Sequence, residues 1–238
     1  MIHLGCAGWS LSRPYAGHFK GDGSHLQRYA ARLNAVEINS SFYRPHRPAT
    51  YARWASSVPE QFRFSVKVPK TITHVQRLQS CETLLDGFIE QCSQLGDRLG
   101  CLLVQLPPSL DYDADTAQRF FERLRERYAG GVAVEPRHVS WQVARPMLVA
   151  LQIAQVAASP PRFDSDALPG GWPGLVYWRL HGQPRLYHSE YSDDYLQRLA
   201  QRLHVSEAAK VQTWCIFDNT ASGAALANAL AIQALING

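Results

Sequence analysis

The sequence predicts a single α/β domain over residues 1–238, folded as a (β/α)8 barrel. Short β-branched and aromatic runs alternate with longer amphipathic segments along the whole chain, which is typical of a parallel sheet covered by helices. Eight such units fit in 238 residues, close to the barrel's usual length of about 250. The first strand leads into the run from Gly5 to Trp9, which lacks the GxGxxG motif of a doubly wound dinucleotide-binding sheet.

The first half of the chain holds four strand–helix units. Strands are expected at residues 2–6, 35–39, 62–68 and 99–106, and helices at about 24–33, 49–57, 81–95 and 113–128. A loop rich in Gly, Pro and Ser separates the first strand from its helix. Pro107 and Pro108 end the fourth strand. The helix at 113–128 has acidic residues early and arginines late, as its dipole favours.

The second half repeats the pattern with one irregular unit. Strands are expected at 132–136, 155–158, 175–180 and 211–217, and helices at 145–153, 193–203 and 221–236. Residues 159–174 are rich in Pro and Gly and show no clear helical pattern. The sixth unit is therefore predicted to be irregular.

Polar residues recur at the predicted carboxyl ends of five strands, where barrel strands are normally apolar because both faces are covered. Alternation with a period of two residues predicts an apolar set facing the helices: Val36, Ile38, Phe64, Val66, Leu102, Val104, Val134, Trp178 and Leu180. The inward set is then Glu37, Asn39, Ser65, Lys67, Gln105, Glu135, Arg137, Arg179 and His181. Active sites of barrels lie at this end, so we expect a functional pocket. The alternative is that these charges pair only with one another, which rarely outperforms apolar packing.

These residue types suit acid–base chemistry on an anionic substrate, in a hydrolase or a lyase. The candidate catalytic residues are Glu37, Lys67, Glu135 and His181. The candidate substrate-binding residues are Asn39, Tyr43, His74, Gln105, Arg137, His138, Trp141, Arg179 and Asn219. The motifs GxxxxGK[ST], GxSxG and HExxH are absent from the sequence.

No cofactor is predicted, and a divalent metal is disfavoured. The chain has residues of the types that bind metals, but their spacing is unspecific and basic neighbours would repel a cation. They are His3, His74, His138, His181, Glu37, Glu135 and Asp218.

The charge is unevenly distributed along the chain. Residues 1–80 hold 11 Lys and Arg against three acidic residues, a net charge of +8, whereas residues 81–238 hold 13 against 17, a net charge of −4. A basic region of this kind can serve an anionic ligand. The small overall charge of +4 makes nucleic acid a less favoured partner.

The expected compartment is the cytoplasm. The five cysteines form no CxxC pair, so free buried thiols are expected. The amino terminus has no signal-peptide pattern, and no stretch approaches the roughly 18 apolar residues of a membrane span.

Ordered motifs along nearly the whole chain resemble the YecE-like family, known as domain of unknown function 72. The motifs are Gly8-Trp9, Val36-Glu37-Ile38-Asn39-Ser40-Ser41-Phe42-Tyr43, Ile72-Thr73-His74, Leu103-Val104-Gln105-Leu106-Pro107-Pro108, Glu135-Pro136-Arg137-His138 and Tyr177-Trp178-Arg179-Leu180-His181-Gly182. The resemblance implies a TIM-type barrel without an established reaction. The chain departs from the family pattern at Asp218, where the family usually has Asn, and at residues 157–159, where it often has Asp.

Three functions follow from these observations. The favoured one is an enzyme acting on a small anionic substrate, phosphorylated or sugar-like. The alternatives are a nucleic-acid-binding or endonuclease-like barrel and a non-catalytic ligand-binding protein. Nucleic-acid binding predicts an affinity that falls steeply with salt.

Overall fold

The computed structural model describes all residues from Met1 to Gly238 and has a mixed α/β architecture, as predicted. Its strands are β1 (Ile2–Cys6), β2 (Ala35–Ile38), β3 (Arg63–Lys67), β4 (Leu99–Gln105), β5 (Gly131–Glu135), β6 (Ala154–Gln155), β7 (Ala157–Ser159), β8 (Gly170–Gly171), β9 (Leu175–Leu180) and β10 (Gln212–Phe217). Its α-helices are α1 (His25–Ala30), α2 (Pro48–Ser56), α3 (Glu82–Cys92), α4 (Ala114–Arg127), α5 (Arg145–Ala150), α6 (Asp193–Ala208) and α7 (Ala224–Asn237).

The strands form two sheets, with the orders β1-β10-β9-β7 and β2-β3-β4-β5-β6-β8. Neighbouring strands are parallel, except that β6 pairs antiparallel with β8. The predicted sixth strand is thus two short strands, one in each sheet. The region after it contains β8 and one 3-10 turn at Asp164–Asp166, in keeping with the irregular unit expected there. The backbone ladders establish two sheets, and the single closed barrel stays a prediction.

Side chains connect β1 of the first sheet to β2 of the second. The Tyr29 hydroxyl accepts a hydrogen bond from the Cys6 amide (2.8 Å) and donates one to the Ala35 carbonyl (2.9 Å). Ala7 and Glu37 form an isolated parallel bridge at the carboxyl ends of these strands. Gly5 permits this approach, because a Cβ atom there would lie 1.9 Å from the Ala35 carbonyl oxygen.

The two faces of the strands pack into separate hydrophobic clusters. The larger cluster has 52 buried residues and includes the alternating set predicted to face the helices, such as Val36, Val66 and Leu180. The smaller cluster has 11 residues, among them Ala35, Leu103 and Tyr177. The period-two interpretation of the strands therefore holds along the apolar part of the fold.

The helices differ from the predicted ranges mainly at their ends. Helix α1 starts at a capping box on Ser24 but stops at Ala30 and not near residue 33, because the amides of Arg32 and Leu33 both bond to the Tyr29 carbonyl in a tightened turn. Helix α5 stops at Ala150 because Gln152 is left-handed, with φ of 55°. The sequence did not indicate the single π-helical segment Thr71–Val75 that follows β3. None of the helices is both long and apolar enough to span a lipid bilayer.

Candidate functional site

The strand register brings the polar strand ends together at one end of the sheets. Glu37 lies beside Ser65 on β2 and β3, and Gln105 lies beside Glu135 on β4 and β5. Arg179, on β9 of the other sheet, points at both pairs. Parallel strands with a fixed register hold such residues on rigid backbone, which favours a precisely shaped site.

Arg179 is the centre of the polar cluster. Its side chain is 0% exposed. Its Nε and Nη2 atoms donate to the two carboxylate oxygens of Glu37 at 2.9 and 2.6 Å, and Nη1 donates to Glu135 Oε2 at 2.9 Å. Asp218 Oδ2 lies 3.1 Å from Nη2. Three carboxylates therefore converge on one buried guanidinium, a fork geometry that suits bidentate pairing.

Glu37 is enclosed beneath this guanidinium. It also accepts a hydrogen bond from the Tyr177 hydroxyl (2.9 Å), which lies 2.9 Å from Ser65 Oγ. Burial and the Glu37 charge raise the pKa of Tyr177 well above its ordinary value, so the hydroxyl keeps its proton and donates it. Glu37 lines neither of the two cavities at this end. Its carboxylate holds Arg179 in place and is not presented to a ligand.

Glu135 links the buried centre to the loop that follows β5. Arg137 Nε and Nη2 donate to Glu135 Oε1 at 3.0 and 2.8 Å, and Gln105 Nε2 donates to Oε2 at 2.9 Å. Burial alone would raise the pKa of Glu135, but Arg179, His181 and Arg137 outweigh it and hold this pKa well below its ordinary value. Glu135 is therefore ionised.

His181 lies between two carboxylates. Its Nδ1 is 3.0 Å from Asp218 Oδ2 and its Nε2 is 3.1 Å from Glu135 Oε1. Burial alone would lower the pKa of His181, but Glu135 and the hydrogen bonds to both carboxylates raise it above the ordinary value. Both ring nitrogens then donate, and the imidazolium links Asp218 to Glu135.

This arrangement predicts that stability falls as the pH rises through the pKa of His181. A raised folded-state pKa gives stability that is fully present below the unfolded value of 6.5 and is lost at higher pH. The free energy of unfolding from urea titrations should therefore decline as the pH rises above about 6.5. In a His181→Gln variant this decline should be much smaller. Parallel pH profiles for the two proteins would contradict the assignment.

Lys67 is the one inner charge without a charged partner. Its side chain is 5% exposed, and its ammonium makes neither a hydrogen bond nor an ion pair within 4.0 Å. Nζ instead lies 4.1 Å from the centre of the Phe42 ring, a favourable cation–π distance. Burial and the nearby Arg179 charge lower the pKa of Lys67 to about 8, against the opposing pull of the three carboxylates.

Two cavities open onto the cluster and share Tyr187 in their walls. One, of about 410 Å³, is lined by ten residues that include Lys67, Lys70 and Asp218. The other, of about 190 Å³, includes Arg137 and His181. The Tyr187 ring packs edge-on to His181, with centroids 5.7 Å apart. A third cavity, of about 320 Å³, lies between the start of α3 and α4, away from the cluster.

Four further predicted site residues line the larger cavity: Asn39, Tyr43, His74 and Gln105. Thr73 donates its hydroxyl proton to the Pro69 carbonyl, so its oxygen accepts from His74 Nδ1 at 2.8 Å. His74 therefore carries its proton on Nδ1, and this tautomer leaves a lone pair on Nε2. Burial, Lys67, Arg137 and Lys70 lower the pKa of His74, which keeps the ring neutral.

Three predicted binding residues lie elsewhere and make structural contacts. Trp141 is 2% exposed, and its indole NH donates to the Leu110 carbonyl (2.9 Å). His138 contacts Asp111 and Ser140 at the surface. Asn219 donates to the Ser189 carbonyl and to Asn228 Oδ1, both at 2.9 Å. Their positions just after strands suggested the pocket, but each side chain turns back to secure a loop or a helix.

The site also contains residues that were not among the predicted ones. Asp218 directly follows β10, so the rule used for the other strand ends would have found it. Phe42, Lys70 and Tyr187 come from loops, where no periodicity indicates direction. Tyr187 has a left-handed φ of 66° and its amide bonds back to the His181 carbonyl, a contact that only the folded loop reveals.

Metal-ligating side chains do not gather around an open position. No group of three or more His, Cys, Asp or Glu side chains is arranged so that it could hold a metal ion. The carboxylates of Glu37, Glu135 and Asp218 converge instead on the guanidinium of Arg179.

Curated relatives share part of the chain. UPF0759 protein YecE of Escherichia coli (strain K12) is 33% identical over 107 residues, which is 45% of this chain and 38% of that protein. UPF0759 protein YunF of Bacillus subtilis (strain 168) is 28% identical over 153 residues, 59% of this chain and 52% of that protein. The matches thus span about two-fifths to one-half of these relatives' lengths.

Solved structures match over the full chain. A DUF72 family protein from Enterococcus faecalis superposes with a TM-score of 0.82 at 24% identity, covering 100% of this chain and 96% of that one. A DUF72 family protein from Thermotoga maritima gives 0.80 at 25% identity, with 100% of both chains covered. The family model described as "Protein of unknown function DUF72" matches residues 3–238. The chain therefore belongs to the DUF72 family, as its motifs predicted.

Proposed function

We propose that this protein is an enzyme that binds a small anionic substrate, phosphorylated or sugar-like, in the larger cavity beside Lys67. The observation that carries the proposal is the buried Lys67 ammonium, which has no carboxylate partner and faces a cavity of about 410 Å³. Burying an unpaired charge is costly, and an anionic ligand supplies the missing partner.

The charge balance of the cluster supports an anionic ligand. The negative charges of Glu37, Glu135 and Asp218 are offset by Arg179, Arg137 and the protonated ring of His181. Lys67 is left over, and Lys70 lines the same cavity. One or two negative charges on the ligand would neutralise this surplus, and the low exposure of Lys67 strengthens the attraction.

The residues divide into a supporting set and a reacting set. Glu37, Arg179 and Tyr177 hold the strand ends together, so we assign Glu37 a positioning role. The neutral His74, with its free Nε2, and Lys67 are the groups that can exchange a proton with a ligand in the cavity. Gln105 and Asn39 supply amide groups in the same wall.

We also propose that the two sheets together form one closed barrel with eight strand positions. The Tyr29 hydroxyl and the Ala7–Glu37 bridge join the sheets on one side. On the other side, β6 pairs with β5 and β7 pairs with β9 although only Val156 separates β6 from β7. Closure would place the cluster at the carboxyl end of a barrel, the usual position of active sites.

Calorimetric titration of the wild-type protein tests the proposal. Inorganic phosphate and small sugar phosphates should bind at one site, with a dissociation constant of about 1 mM or tighter for the best of them. Turnover of the tightest binders should then be followed by mass spectrometry. If no small anion binds, the proposal is wrong. Binding without turnover of any ligand would favour a ligand-binding protein instead.

Nucleic-acid binding is tested in the same buffers. Lys67 is only 5% exposed as a residue, which suits a small ligand that enters the cavity and not a duplex backbone lying across it. We expect weak binding of DNA and RNA that disappears at moderate salt. Tight, structure-specific binding of a nucleic acid would replace the small-ligand proposal.

A further inference from the structure

Lys67 has the surroundings of an amine that reacts with carbonyl groups. We propose that Lys67 forms a Schiff base with the substrate, a role that rests on the proposed function and narrows the substrates to small anionic aldehydes and ketones. Three features of the structure support it: the position of an unpaired amine beside an aromatic ring, the electrostatic setting of that amine, and a base that contacts the same ring.

The first feature is the position of the amine. Lys67 ends β3, whose backbone is held by β2 and β4 on either side. Its Nζ lies 4.1 Å from the centre of the Phe42 ring, and no carboxylate lies within 4.0 Å of it. A lysine meant only to attract an anion works best fully charged and solvated at its tip. Lys67 is instead only 5% exposed, at the wall of a cavity, where a low water content would also favour an imine over its hydrolysis products.

The second feature is the electrostatic setting of Nζ. Desolvation and a neighbouring cation are the two devices that activate a nucleophilic lysine. Both operate here, because Lys67 is buried and faces Arg179, and they lower its pKa to about 8. At neutral pH roughly a tenth of Lys67 is then the free amine, against fewer than about one in a thousand for an ordinary lysine.

The third feature is a base that can carry the proton. His74 packs against Phe42, with ring centroids 5.0 Å apart, so Lys67 and His74 share one aromatic neighbour. A water molecule in the cavity carries a proton from the Lys67 ammonium to the lone pair on His74 Nε2, because the two groups make no direct hydrogen bond. The free amine attacks the carbonyl carbon and a C–N bond forms, while a proton moves from the nitrogen to the carbonyl oxygen, which becomes a hydroxyl group. His74 returns its proton to that hydroxyl, which leaves as water.

The reaction is balanced without any further reagent. One ammonium and one carbonyl group give one protonated imine and one water molecule, with no oxidation or reduction. The protonated imine is part of the bound substrate and serves as its electron sink, which suits a lyase. The positive charge of the imine lies on the former Nζ atom of Lys67, so it has the same surroundings as the charge of the ammonium.

Reductive trapping tests the proposal, and the chain's four lysines make it easy to interpret: Lys20, Lys67, Lys70 and Lys210. Wild-type protein is incubated with glyoxylate or with glycolaldehyde phosphate in the presence of cyanoborohydride, and each lysine is quantified by peptide mass spectrometry. Lys67 should be modified at least about tenfold faster than the exposed Lys20 and Lys210, since its larger free-amine fraction outweighs the lower nucleophilicity of a less basic amine.

Two variants complete the experiment. His74→Gln should slow the modification of Lys67 and leave that of Lys20 unchanged, whereas Lys20→Met should leave Lys67 modification unchanged. Modification of Lys67 no faster than that of Lys20 would overturn the Schiff base. If phosphate still binds in that case, the proposed function survives without it, and if phosphate does not bind either, both are wrong.

Discussion

An Arg179→Met variant should lose roughly 3–5 kcal/mol of unfolding free energy at neutral pH, the loss typical of breaking a buried ion pair from one side. Arg179 is the shared partner of three carboxylates, at 2.6 to 3.1 Å. Its removal leaves them buried, close together and like-charged. Urea unfolding followed by fluorescence measures the loss.

The matched control is Arg13→Met, because Arg13 is exposed and its side chain makes no hydrogen bond or ion pair. It should change stability by less than about 0.5 kcal/mol. The loss in Arg179→Met should also shrink as the pH falls toward about 4, since protonation of the unpaired carboxylates removes their repulsion. If Arg179→Met lost less than about 1 kcal/mol of unfolding free energy at neutral pH, the cluster would tolerate the removal of the guanidinium charge.

A Lys67→Met variant should lose anion binding in the larger cavity. Methionine keeps much of the apolar stem of lysine but removes the one cation that the cluster leaves unpaired. A charge-assisted contact in a desolvated cavity contributes about 1.5–3 kcal/mol, so the dissociation constant for phosphate should rise by roughly 10- to 100-fold. Titration calorimetry under the conditions used for the wild type measures the change.

Lys20→Met removes the same group from an exposed position and should leave phosphate binding unchanged. Lys70→Met should give an intermediate loss, because Lys70 lines the cavity without being buried. If the wild type and Lys67→Met bound phosphate with equal affinity, phosphate would bind at another part of the molecule.

The fold was largely predictable because the strands follow a simple periodic rule. Apolar residues such as Val36 and Val66 alternate with inward residues, and the packing into two clusters follows this alternation. The same rule could not anticipate that the sixth strand would divide at Val156 between two sheets. That division depends on backbone pairing with β5 and β9, partners far away in the sequence.

The candidate site was predictable where side chains belong to strands and much less so where they belong to loops. Glu37, Lys67 and Arg179 lie at the same end of the sheets because their strands run parallel. Within that set Glu37 is enclosed whereas Lys67 borders a cavity, and this difference depends on the loops that surround the strand ends. Trp141 and Tyr187 both follow strands by several residues, and only tertiary contacts decide that one packs inward while the other borders the cavities.

The proposed role of Lys67 is to bind a ligand and not to stabilise the fold. The most direct measurement is the unfolding free energy of Lys67→Met against the wild type at pH 7 without ligand. A buried amine whose pKa is lowered to about 8 weakens the folded state while it is charged, so the variant should be more stable by about 1–3 kcal/mol. A Lys67→Met variant less stable than the wild type by about 1 kcal/mol or more would show that Lys67 is a structural residue and would contradict the account.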